Sequence, residues 1–123
     1  MSNRFKIACL CGVLVSVLFA ADAFRMPELT DEARASAAEL YDRECYACHR
    51  WNRNFAGPDM KGNVLRYEGR PKALFEYLKD PQPIHPDKYL PMEIGKLSDE
   101  EASLMVAWLF SLVADSSAAD RPR

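Results

Sequence analysis

Histidine and cysteine are scarce: the chain has 2 and 4 of them in 123 residues. Cys9 and Cys11 lie in an N-terminal apolar run, so the remainder offers only Cys45, Cys48, His49 and His85. A structural zinc site takes four such ligands at regular spacing, and His85 stands alone beyond His49, so a zinc module is excluded. Without Cys9 and Cys11 there is also no cysteine pair left over for a structural disulfide. No stripe of Lys and Arg runs anywhere along the chain, and acidic residues outnumber basic ones 18 to 16. That balance excludes a nucleic-acid interface, which needs a basic footprint. After residue 23 no apolar run approaches the roughly 20 residues that span a bilayer. Period-two alternation and internal repeats are missing too, which argues against a sheet and against a solenoid.

What is present begins with a leader. Arg4 and Lys6 precede an apolar stretch from Ile7 to Ala20, and Ala21-Asp22-Ala23 follows as a small-x-small cleavage pattern. This layout is that of a secretory signal peptide. Cleavage is expected after Ala23, giving a signal at 1–23, one domain at 24–114, and a disordered tail at 115–123 with the sequence DSSAADRPR. The expected location is periplasmic or otherwise exported.

The two cysteines that remain stand in Cys45-Tyr46-Ala47-Cys48-His49, a C-x-x-C-H pentapeptide. Two thiols at this spacing can add to the two vinyl groups on one edge of a porphyrin, and the following histidine can then ligate the iron. One covalently attached haem c, with its iron, is the expected cofactor. A thioredoxin-like use of the thiols needs the motif at a helix N-terminus, where the dipole lowers a thiol pKa. Here the motif follows a helical segment. Haem attachment takes place on the exported side of a membrane, so leader and motif support one another.

The first helix is expected from about Asp31 to the motif, with Thr30 as N-cap and Asp31 and Glu32 in its first turn. Ala33, Ala37, Leu40, Tyr41 and Cys48 fall on one stripe, with Glu44 as an unexplained exception. A second helix runs from about Pro71, a tolerated first-turn proline, to Asp80, and Pro81 stops it. Ser98-Asp99-Glu100-Glu101 is a capping box opening a last helix to about Val113. Its buried stripe is expected to be Ala102, Met105, Val106, Leu109, Leu112 and Val113, with Trp108 at the margin. The fold class is all-α.

Residues 81–97 carry no convincing element, which is longer than the roughly 12–15 residues usual for a structureless loop. Half of the eight prolines, Pro81, Pro83, Pro86 and Pro91, lie within it. Proline lowers the entropy lost on ordering, so this loop is built to hold one shape. Met92, directly after Pro91, is either a soft thioether ligand for iron or a gap-filling apolar side chain. His85 is a rival ligand that would give a bis-histidine haem, and an open sixth position is a third arrangement.

Taken in order, these parts resemble the class I cytochromes c, small single-haem electron carriers, over nearly the whole of residues 24–114. The matching parts are Cys45–His49, the loop Gly57-Pro58-Asp59-Met60-Lys61-Gly62, the helix at Pro71–Asp80, Pro91-Met92 and Ser98–Val113. The resemblance implies a cytochrome c-like fold of three to five helices around one covalently bound haem. It also implies that Ala37 and Tyr41 cross Met105 and Trp108, that Met92 is the axial partner of His49, and that the Pro58 carbonyl accepts a hydrogen bond from His49. In this chain proline precedes the methionine and Glu93 follows it, whereas the family often has proline after. Met60 and Met105 are expected to be packing residues. Trp51 is open between haem lining and core packing, and Arg53, Lys61 and Arg66 between propionate pairing and solvent.

The function expected from this reading is transfer of single electrons between redox protein partners, not catalysis. A cytochrome subunit dedicated to one dehydrogenase or oxidase is the alternative. A haem sensor or peroxidase-like enzyme would need an open sixth site.

Overall fold

The computed structural model describes residues 24–115 and 122. The leader and most of the tail, with the expectations of cleavage and disorder that fall on them, lie outside the described residues. Four helices follow in order: α1 (Asp31–Glu44), α2 (Met60–Leu65), α3 (Pro71–Lys79) and α4 (Asp99–Ala114). No strand occurs among the described residues, and none of their helices is long and apolar enough to cross a membrane.

Local chemistry sets the helix ends where the sequence places them. The Thr30 hydroxyl accepts from the Ala33 N–H at 3.2 Å, relieving one orphan donor of α1. Pro71 opens α3, whose Leu74, Phe75 and Leu78 are buried on one face. At α4, Ser98 Oγ accepts from Glu101 N at 3.0 Å and Glu101 Oε2 accepts from Ser98 N at 2.9 Å, so both halves of the capping box are formed. The short α2 falls in the stretch read from sequence as a Gly-Pro loop. Asp59 caps it by accepting from Gly62 N at 2.7 Å.

All three other helices pack against α4. Ala37 is the small residue that lets α1 approach, and Ala37 and Tyr41 are both fully buried at the crossing. The Tyr41 and Trp108 rings lie 5.7 Å apart at a tilted angle of 60°, a favourable aromatic geometry. Trp108 is not at the margin of α4 but 1 % exposed. The reason is tertiary: with α1, α2 and α3 all packed against it, α4 buries a wider arc than the single stripe of a surface helix. Ala107 is drawn into the core by the same effect. Tyr41 Oη and Trp108 Nε1 are buried without a hydrogen-bond partner among the described residues. Before α1 the chain forms no helix or strand, and the Phe24 ring packs 5.2 Å from that of Phe75 on α3.

Candidate functional site

The end of α1 turns directly into the motif. Cys48 N and His49 N both donate to the Cys45 carbonyl, at 3.1 and 2.9 Å, so the pentapeptide is wound into a tight turn. Cys45 is buried and Cys48 is exposed. Burial, followed by the nearby Glu44 carboxylate, pushes the Cys45 thiol up to about 12. A dithiol oxidoreductase needs the opposite shift, because the thiolate is its nucleophile.

His49 is buried as well, and its orientation is fixed from behind. Its Nδ1 lies 2.8 Å from the Pro58 carbonyl oxygen. A carbonyl can only accept, so Nδ1 carries the proton and Nε2 keeps the lone pair a metal would require. The loop that brings Pro58 here is held by Gly57 N donating to the Cys48 carbonyl at 2.8 Å and by Met60 N donating to the Arg50 carbonyl at 2.9 Å. Gly57 is needed for this approach: a Cβ there would stand 2.8 Å from His49 Cε1 and 3.1 Å from Nδ1. Gly57→Ala is therefore expected to destabilise the folded protein by about 1–3 kcal/mol, as overpacking does. A denaturant titration of the holoprotein checks it, and an unchanged midpoint would show that the loop yields without cost.

Arg50 completes the turn from outside. It donates to the carbonyls of Tyr46 and His49, and its guanidinium stacks 4.1 Å from the Tyr46 ring and 4.2 Å from the Phe55 ring. Nothing in the sequence singles this arginine out, because its partners are backbone carbonyls.

Cys45, Cys48 and His49 open onto a largely apolar cavity of about 1330 Å³, counting its solvent-open mouth. Helices α1, α2, α3 and α4 contribute Leu40, Val64, Leu74 and Leu109 to its wall. Pro58 and Met92 line the same cavity, and Met92 is half-buried and packed against the core. Met60 and Met105 are on the wall too, Met105 almost fully buried. Trp51 is 2 % exposed, belongs to the core cluster and does not line the cavity. His85 is exposed at the rim, its Nε2 accepting from Arg66 Nη1 at 3.2 Å.

The sequence exception on α1 has a structural cause. Glu44 reaches the cavity edge, where one carboxylate oxygen accepts from the Gly95 N–H at 3.0 Å and the other from Arg43 Nε at 2.8 Å. Its stripe position is occupied by a polar group because a polar backbone atom of the Met92 loop meets it there.

Two thiols, an imidazole with an available Nε2 and a thioether thus share one apolar cavity. This donor set fits a c-type haem, with Cys45 and Cys48 to bind its edge and His49 to ligate iron. The comparisons with known proteins agree. The profile of the cytochrome c family matches residues 34–112. Among solved structures, cytochrome c from Rhodothermus marinus is similar, with 25% sequence identity and a TM-score of 0.57 over 73% of this chain and 85% of that one. No curated protein sequence matches the chain. The matched span runs from α1 through the attachment turn and the Met92 loop into α4, and on that ground the chain belongs to the cytochrome c family, haem-based electron carriers with covalently bound haem c.

Proposed function

We propose that the protein is an exported carrier of single electrons whose haem iron is ligated by His49 and Met92. The observation that supports it most is the shared cavity, with the Pro58-oriented His49 and the thioether of Met92 both on its wall. Bound haem supplies a one-electron ferric–ferrous couple. The chain does the rest. Cys45 and Cys48 would hold the porphyrin edge, and Pro58 engages the Nδ1–H of His49, which leaves Nε2 to ligate the iron. The apolar walls from Leu40, Val64, Leu74 and Leu109 exclude water. A neutral, soft sulfur favours the ferrous state and so raises the potential relative to a second imidazole. With His49 and Met92 both holding the iron, no position on it would be left for a substrate. His85 suits the axial role less well, because it is exposed and its Nε2 is already hydrogen-bonded to Arg66.

Export is supported by the leader pattern of residues 1–23 and by the cellular side on which c-type haem is attached. The partners are redox proteins, one that delivers the electron and one that receives it. Absorption spectra of the exported protein in both oxidation states, with a potentiometric titration, test the whole reading. The expected result is low-spin haem in both states, a sulfur-to-iron charge-transfer band in the ferric protein and a one-electron Nernst slope. A high-spin ferric spectrum would replace the carrier with a sensor or enzyme that has an open sixth position.

A further inference from the structure

The segment from Leu90 to Leu97, which carries Met92, belongs to no helix or strand. Its backbone gains no ladder of its own, so whatever holds it must come from elsewhere. Two helix-borne side chains do this on the C-terminal side of the methionine. Lys79, the last residue of α3, donates to the Leu97 carbonyl at 2.6 Å and pairs with Asp99 at 2.9 Å. Glu44, the last residue of α1, accepts from the Gly95 N–H.

Glu44 is the more informative of the two. Its side chain is only 19 % exposed and lies at the edge of the apolar cavity, where a carboxylate is costly unless its oxygens are occupied. Both are occupied, and by different things. Arg43 takes Oε1, and Arg43 Nη2 also reaches Glu101 Oε1 at 3.2 Å. Glu101 in turn caps α4 through Ser98. A continuous chain of hydrogen bonds therefore runs from the start of α4 through Arg43 and Glu44 to the loop.

An ion pair with Arg43 alone does not explain this placement. Arg43 is 59 % exposed, and such surface pairs contribute little and are screened by salt. They also need only one carboxylate oxygen. Oε2 is left over from that pair and accepts from the Gly95 N–H, and Gly95 has no side chain to block it: a Cβ there would sit 3.0 Å from that same oxygen. The attachment cysteine follows Glu44 directly in the chain, and the methionine stands three residues before Gly95. The covalent edge of the site and its axial loop are thus tied together through one carboxylate.

We infer that Glu44 is a positioning residue for the axial methionine, holding Gly95 and with it the segment that presents Met92 to the iron. The inference rests on the reading of Met92 as the sixth ligand. It assigns Glu44 no contact with the metal. Loss of the carboxylate frees the segment, and an external ligand then competes more easily with the thioether.

The test uses the holoprotein, with imidazole as the probe. Glu44→Ala is expected to weaken the sulfur-to-iron charge-transfer band and to raise the apparent imidazole affinity about tenfold or more, since a hydrogen bond to a charged group is removed. Glu44→Gln keeps an acceptor oxygen for Gly95 and should stay within about twofold of the parent, because one charge is lost but not the bond. Gly95→Ala, which crowds the same oxygen, should shift affinity in the direction of Glu44→Ala and decides the matter if Glu44→Ala does not fold. Parental imidazole affinity in both Glu44→Ala and Gly95→Ala overturns the inference, as does a Glu44→Gln protein as open as Glu44→Ala. In either case the axial assignment still stands if Met92→Ala binds imidazole far more tightly than the parent. If Met92→Ala does not, the axial assignment fails first and the inference falls with it.

Discussion

Replacing Met92 by alanine is expected to leave haem attached to Cys45 and Cys48 while opening the sixth coordination position. The charge-transfer band should vanish, and cyanide and carbon monoxide should bind. The reduction potential should fall by on the order of 0.1 V or more, a fraction of the roughly 0.8 V that axial ligands control across haem proteins. The cause is loss of a neutral sulfur that stabilises ferrous iron, together with water entry into the space that the half-buried Met92 side chain would vacate on the cavity wall. His85→Ala should change little, because its imidazole is exposed at the rim and spends Nε2 on Arg66. The reverse pattern, with His85→Ala opening the site and Met92→Ala keeping a low-spin spectrum, would move the axial role to His85.

Replacing Cys45 and Cys48 together is expected to have the larger effect on the fold. The haem stain that survives denaturing electrophoresis should disappear, since both thioether bonds are gone. The unliganded chain should also lose its cooperative thermal transition. Leu40, Val64, Leu74, Leu78, Met105 and Leu109 are core residues that also form the cavity wall, so one side of the core depends on what fills that cavity. Side chains facing a gap forfeit dispersion contacts on that side, and a domain of this size buries only a modest share of its surface. Occupancy restricted to the native state adds directly to stability. Calorimetry of haem-free protein checks this: a sharp transition at the holoprotein's temperature would show a core that stands without the porphyrin. A stain that persists in the double mutant would place the attachment elsewhere.

Several elements were readable because local chemistry alone dictates them. Thr30, Pro71 and the Ser98–Glu101 box end their helices through hydrogen bonds or ring geometry within a few residues, so the structure has those helix ends where the residues place them. The attachment motif is likewise contiguous. The six-residue α2 was not readable. Gly62 lowers its intrinsic helix propensity, and a helix this short is stabilised by packing against α4 instead of by its own hydrogen bonds. Trp108 escaped a single-stripe reading because periodicity describes one helix face, whereas burial on α4 is decided by how many helices surround it.

The same division runs through the site. The sequence by itself determined which atoms can react: two thiols at vinyl spacing, the adjoining imidazole, and a methionine in a proline-stiffened loop, since covalent spacing and side-chain chemistry do not depend on the rest of the fold. Only the tertiary structure decided how those atoms are held. The 2.8 Å contact from His49 to the Pro58 carbonyl, the contact that leaves no room for a side chain at Gly57, the wrap of Arg50 over the turn, and the reach of Glu44 to Gly95 all join residues through backbone groups. Backbone N–H and C=O groups are nearly the same at every position, so a sequence carries no mark of which will meet. Folding brings them together, and their need for partners once buried fixes the rest.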